Sequence, residues 1–280
     1  MSLHVEKIGS GAPLVLLHGW GMHGGVWSDV AQKLAAEHCV HCVDLPGYGF
    51  SLPSPAGGRG AGGEGCMQQA LSLTLSRQRE RGQDPLDSIV EDIAAQFDEA
   101  VDVCGWSLGG QIALRWAASK PEQVKRLILV ASTPCFTQRD DWQWGMATEV
   151  LEKFAEELEQ NHAATLRRFV SLQLRGSENE RELLLLLRER LFARGEPDMN
   201  ALRAGLNILR DVDLRSELPL INVPTLIIAG ERDKLTPPEA SQYMAQVMPS
   251  AKLEVIKGAA HAPFLSHPDL FVESVRRFLA

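Results

Sequence analysis

Three absences narrow what this 280-residue sequence can be. It has no excess of basic residues: 28 Lys and Arg stand against 36 Asp and Glu, a net charge of −8. A general nucleic-acid binder is normally basic, so no nucleic-acid partner is expected. It has no long apolar run. The stretch 14–17 in "MSLHVEKIGSGAPLVLLHG" is far too short for a membrane span or a signal-peptide core, and no basic start precedes it. A cytoplasmic protein without a membrane partner is expected. Finally, it has no framework of paired cysteines. The five cysteines (Cys39, Cys42, Cys66, Cys104 and Cys135) are odd in number. The spacing of Cys39 and Cys42 falls on an expected strand, where residues three apart face opposite ways and suit a metal poorly. Reduced cysteines and no metal site are expected.

What is present is an ordinary globular composition, 45% hydrophobic and 23% charged. That length fits one large domain, or a domain carrying an insertion. Short Val-, Ile- and Leu-rich runs at 13–18, 39–45, 100–105, 126–132, 224–230 and 252–258 read as buried strands. Longer amphipathic stretches at 26–37, 86–98, 109–119, 238–248 and 268–279 read as helices. Such alternation predicts an α/β fold, a mostly parallel sheet flanked by helices on both faces.

Two segments break the rhythm. Residues 135–215 hold no convincing strand but four helical stretches in a row: "TEVLEKFAEELEQ", "AATLRRFVSLQLRG", "ERELLLLLRERLFARG" and "DMNALRAGLNILRDV". They are expected to form a helical cap inserted into a core made of 1–134 and 216–280. The leucine run 183–187 reads as core between cap helices, because charges bracket it. The second break, 53–82, begins glycine-rich and is expected to be a flexible loop.

"Gly105-Trp106-Ser107-Leu108-Gly109" places a lone serine between glycines, after an apolar run and before a helix-like stretch. This fits the G-x-S-x-G nucleophile elbow, a tight strand-to-helix turn that exposes the serine oxygen. A serine hydroxyl needs a base. His261 in "KGAAHAPFLSHP", just past the last strand, is the candidate; His267 reads as a capping or surface residue. The imidazole needs an orienting carboxylate. Asp233 in "IIAGERDKLTPP" follows its strand by three residues, with Asp211 and Asp213 as rivals at the end of the cap. An oxyanion needs two N–H donors. Leu108, directly after the serine, supplies one, and Trp20 in "LHGWG" the other. His18 reads as holding the shape of that loop.

The set "LLHGWG", "VDLPGYG", "GWSLGG", "GERD" and "AAHAPF" closely resembles the α/β-hydrolase superfamily. Within it, "GWSLGGQIALRWAASKPEQVKRLILVASTPCFTQRDDW", "RRFVSLQLRG", "LNILRDVDLR" and "AAHAPFLSHP" are similar to the esterases that act on pimeloyl-acyl-carrier-protein methyl ester in biotin synthesis. The resemblance implies a triad of Ser107, Asp233 and His261 and no cofactor. It implies an acyl site lined by Trp20, Leu108 and the cap residues Phe169, Val170, Ser171, Leu172 and Gln173; Trp106 and His261 are expected to join it. It implies an acidic acyl-carrier protein bearing the ester as partner, so a basic cap patch at Arg167, Arg168 and Arg175 is expected to receive it. Residues 161–194 carry seven arginines against four glutamates. A monomer is expected. Other readings keep the serine chemistry and change the substrate: a broad short-chain carboxylesterase, a carbon–carbon hydrolase or a perhydrolase. A non-catalytic binding protein is the reading from a different class.

Overall fold

A computed structural model describes residues 3–51 and 84–280. The expected loop 53–82, with Cys66, lies outside the described residues. Among those described, seven strands form one sheet in the order β1-β3-β2-β4-β5-β6-β7. They are β1 (Val5–Ile8), β2 (Ala12–Leu17), β3 (His38–Val43), β4 (Val101–Trp106), β5 (Val124–Val130), β6 (Thr225–Gly230) and β7 (Ala251–Ile256). All neighbours run parallel except β1, which pairs antiparallel with β3. The six strands expected from sequence are present. Strand β1 went unseen because "VEKI" is only four residues long, at a sheet edge and half-exposed, so it carries no apolar run.

Helices α1 (Ser28–Leu34), α2 (Pro85–Ala94) and α3 (Leu108–Ser119) connect the first five strands. Between β5 and β6 the chain forms α4 (Thr148–Gln160), α5 (His162–Leu174), α6 (Glu180–Leu191) and α7 (Met199–Asp211). Then come α8 (Pro238–Val247), the short α9 (Pro263–Ser266) and α10 (Pro268–Leu279). The starts follow local chemistry. Asp84 accepts from the Leu86 N–H ahead of α2, with Pro85 in the first turn, and Asp198 accepts from the Asn200 and Ala201 N–H groups ahead of α7. In the leucine run, Leu183 and Leu187 are buried, while Leu185 is 63% exposed. Helical spacing turns only one face of that run inward. No helix of the described residues is long and apolar enough to cross a membrane.

The strand order reverses between β2 and β4, which opens a crevice at their carboxyl ends. The helical block α4–α7 is tied down over this end by polar contacts. The Trp20 indole N–H donates to the Leu202 carbonyl at 2.9 Å, and the Tyr48 hydroxyl to that of Ala201 at 3.1 Å. His23 Nε2 donates to the Arg190 carbonyl at 2.7 Å. Arg194, following α6, reaches back to Asp44 at the end of β3, with Nη1 3.1 Å from Oδ1, and also pairs with Glu6. Asp44 is fully buried and further accepts from the Gly24 and Phe50 N–H groups at 2.6 and 2.8 Å.

Removing the arginine leaves a buried carboxylate with backbone donors only. Arg194→Ala is therefore expected to lower stability by about 2–3 kcal/mol, toward the small end for a broken buried pair because those donors remain. Urea unfolding measures it; a midpoint unchanged from wild type would show that the pair does not anchor the block.

Candidate active site

Strand β4 is buried along its whole length and ends at Trp106. Ser107 follows with φ 55° and ψ −117°, a left-handed conformation rare for a residue with a side chain. Its neighbours explain why it is held there. A Cβ on Gly105 would lie 2.2 Å from the Gly109 carbonyl oxygen. One on Gly109 would lie 2.4 Å from the Leu17 carbonyl oxygen, and one on Gly110 2.3 Å from Ser132 Oγ. The Ser107 N–H donates to the Val130 carbonyl at 3.0 Å, and its own carbonyl accepts from the Ser132 hydroxyl at 2.9 Å. The turn is thus locked from both sides, with Ser107 8% exposed at the floor of the crevice.

Asp233 lies in the turn after β6 and His261 in the loop after β7; both side chains are buried. His261 Nδ1 donates to Asp233 Oδ2 at 2.8 Å. That assignment leaves Nε2 with a free lone pair, as a general base requires. The His261 peptide is gripped at both ends. Its N–H donates to the Gln173 carbonyl of α5 at 3.0 Å, and its carbonyl accepts from the Trp106 indole N–H at 2.7 Å. The Trp106 and His261 rings lie 5.7 Å apart. The rival carboxylates are elsewhere: Asp211 pairs with Arg210, and Asp213 with Arg215. His267 contacts the Ser266 hydroxyl and stands at the N-cap position of α10, where its side chain makes no capping hydrogen bond.

The loop after β2 closes the other side. A Cβ on Gly19 would lie 3.2 Å from Ser107 Cβ, so this loop touches the nucleophile elbow. Among the described residues the N–H groups of Trp20 and Leu108 have no backbone acceptor, which leaves them free for an oxyanion. His18 shapes the loop: its Nδ1 donates to the Gly19 carbonyl at 2.9 Å, and its Nε2 accepts from the Leu45 N–H at 3.0 Å. Burial pushes its pKa down to about 4, so the ring is neutral in both bonds near pH 7.

Beside Trp20 is a cavity of about 570 Å³. Trp20, Phe136, Met146, Phe154, Phe169, Leu172, Leu206 and Leu209 form most of its wall, and Glu149, Lys153, Glu157 and Arg168 its polar part. Of the expected acyl-site residues, Trp20, Phe169 and Leu172 line it. Trp106 does not: it is fully buried beneath the elbow against Phe264 and Trp27. A strand-end aromatic before the turn faces the core, so the expected acyl-channel role for Trp106 is corrected to one of support. Leu108, His261 and Ser107 also lie off this cavity. Val170 is buried and Ser171 bonds back to the Arg167 carbonyl; neither lines it. Gln173 acts through its backbone carbonyl on His261, and its side-chain Oε1 is buried without a partner among the described residues. Arg167 and Arg168 are exposed over the Phe192 and Phe154 rings, Arg168 also pairing with Glu157, and Arg175 is exposed. The walls supplied by Phe136, Met146, Phe154 and Leu206 went unforeseen, since in sequence they are indistinguishable from core.

His18 makes stability depend on pH. The unfolded ring has the ordinary pKa of 6.5 and the folded one about 4. Between these values the unfolded chain binds more protons, so stability is full above about 6.5 and falls as pH drops toward 4. Wild type should lose about 2 kcal/mol between pH 7 and pH 5 that His18→Gln does not lose. Urea unfolding of both proteins at the two pH values checks this. A stability difference that stays constant would mean His18 is not held neutral.

Residues 12–268 match the family model described as alpha/beta hydrolase fold. A pimeloyl-[acyl-carrier protein] methyl ester esterase of Nitrosomonas europaea is 43% identical over 272 residues, covering 97% of each chain. Another, of Aeromonas salmonicida, is 40% identical over 279 residues and covers 100% of each. Among solved structures, an esterase from Exiguobacterium antarcticum matches with a TM-score of 0.77 at 27% identity, covering 99% of this chain and 96% of that one. A hydrolase from Oleispira antarctica matches in fold alone, with a TM-score of 0.79 at 20% identity over 98% of this chain and 93% of that one. With a family match over nearly its whole length and relatives at such identity from end to end, this protein belongs to the alpha/beta hydrolase fold family and, within it, to the carboxylic ester hydrolases.

Proposed function

We propose that this chain is a serine carboxylesterase that hydrolyses the methyl ester of pimeloyl-acyl-carrier protein, releasing methanol and freeing the terminal carboxylate of a chain that stays on its carrier for biotin synthesis. The buried 2.8 Å contact between His261 and Asp233 carries the chemistry, with His261 bonded through its carbonyl to Trp106, the residue before the strained Ser107. Relatives at about 40% identity along the whole chain support the substrate.

In this reading Ser107 Oγ attacks the ester carbonyl while His261 Nε2 takes its proton. The oxyanion sits on the Trp20 and Leu108 N–H groups. Asp233 holds the imidazole and balances its positive charge. The tetrahedral intermediate collapses, His261 returns the proton to the departing methoxide, and methanol leaves. Water, deprotonated by His261, then opens the acyl-enzyme to the free carboxylate and Ser107. The apolar cavity beside Trp20 takes the acyl chain, so Phe169 and Leu172 sense its length. Helices α4–α7 act as the cap over a core of 1–134 and 216–280. Its exposed arginines, among them Arg167, Arg168 and Arg175, form a docking face for the acidic carrier protein and speed encounter by long-range attraction.

The test is turnover of pimeloyl-acyl-carrier-protein methyl ester, with loss of the methyl group followed by mass spectrometry. Ser107→Ala should lower kcat by about 10⁴-fold or more with the fold intact. Reversing charge at Arg167 and Arg168 together should lower kcat/KM for the carrier-bound ester and leave p-nitrophenyl acetate hydrolysis unchanged. Equal turnover of carrier-bound and small free esters would favour a broad short-chain carboxylesterase instead. Phe169→Ala should weaken long acyl esters more than acetate. An equal loss on both would assign Phe169 to packing of the cap.

A further inference from the structure

Asp233 is a fully buried carboxylate whose only ion-pair partner among the described residues is His261. A buried charge of this kind must be met by hydrogen bonds. Four donors meet it. Oδ1 accepts from the Leu235 and Thr236 N–H groups at 2.8 and 3.0 Å. Oδ2 accepts from His261 Nδ1 at 2.8 Å and from the Thr236 hydroxyl at 2.7 Å. Thr236 is itself buried, 1% exposed, and supplies two of the four donors. Its hydroxyl lies 3.3 Å from His261 Nδ1, so hydroxyl, imidazole and carboxylate oxygen form one compact triangle.

We propose that Thr236 is a positioning residue for the base, acting through Asp233. The two carboxylate oxygens turn together about the Cβ–Cγ bond, and the backbone N–H groups hold that plane from the Oδ1 end only. The Thr236 hydroxyl anchors the plane at its other end, so Oδ2 stays aimed at Nδ1 while the imidazole takes and returns a proton. The same hydroxyl draws electron density from Oδ2 and keeps it from pulling the Nδ1 proton too strongly. Thr236 touches neither substrate nor the reacting atoms. The inference rests on the reading of Ser107, His261 and Asp233 as the triad.

The isosteric Thr236→Val and the conservative Thr236→Ser separate this role from packing, measured on a small p-nitrophenyl ester. Thr236→Val should lower kcat about 10- to 100-fold with KM changed less than about twofold, and Thr236→Ser should return kcat to within about threefold of wild type. In proton NMR the His261 Nδ1–H resonance should move downfield in Thr236→Val, because Oδ2 has lost its competing donor, and return in Thr236→Ser. Thr236→Ala, which only removes atoms, replaces the valine variant if that one fails to fold; near-UV circular dichroism reports folding. A folded Thr236→Val or Thr236→Ala with wild-type kcat and an unmoved resonance overturns the proposal. So does a loss that Thr236→Ser fails to restore. Ser107→Ala and His261→Ala are measured alongside. If either keeps near wild-type turnover, the triad reading itself fails; if both are inactive while Thr236→Val is normal, only the role of Thr236 falls.

Discussion

Where β4 turns into α3, the backbones pass so closely that a Cβ on Gly105 would sit 2.2 Å from the Gly109 carbonyl oxygen, and one on Gly109 2.4 Å from that of Leu17. That approach leaves the intervening residue little choice of conformation, and Ser107 takes a positive φ of 55°. Much of the site follows from this constraint. It lifts Ser107 off the sheet at the crevice between β2 and β4 and brings the Gly19 loop against it. The serine is strained because the helix and the strand beneath it are packed without slack.

The second organising feature is how thoroughly the polar groups near the site are satisfied by distant parts of the chain. His261 is held by α5 on one side and by the residue before Ser107 on the other. Trp20 places its indole N–H on the Leu202 carbonyl of α7. The helical block between β5 and β6 therefore helps set the geometry of His261 and of the loop after β2. The helix that lines the cavity beside Trp20 with Phe169 and Leu172 also carries the carbonyl that fixes His261.

Local signals made much of this legible in the sequence. Glycine spacing around Ser107 is a steric requirement confined to a few neighbouring residues, and buried parallel strands announce themselves as short branched-aliphatic runs. The four helices between β5 and β6 were readable from their 3.6-residue periodicity, and the pairing of Asp233 with His261 from their positions just past two successive strands. Strand β1 was not readable, since a half-exposed four-residue edge strand has no pattern of its own and exists because β3 offers it hydrogen bonds.

Trp106 illustrates the limit best. Its place beside Ser107 in the sequence suggested the substrate channel, yet packing turns it into the core, where its N–H holds the His261 carbonyl. Thr236 carried no sequence signal beyond a turn residue before a proline, and only the folded turn brings its hydroxyl onto the oxygen that His261 uses. By itself the sequence determined the order of strands and helices, the tight turn at Ser107 and the candidates Ser107, Asp233 and His261, because each rests on residues close together in the chain. The tertiary structure alone decided which side chains face the cavity, which hold the base and how the helical block is tied to the core. Those outcomes depend on contacts between residues more than a hundred positions apart, such as Trp106 with His261 and Trp20 with Leu202, and no local pattern encodes them.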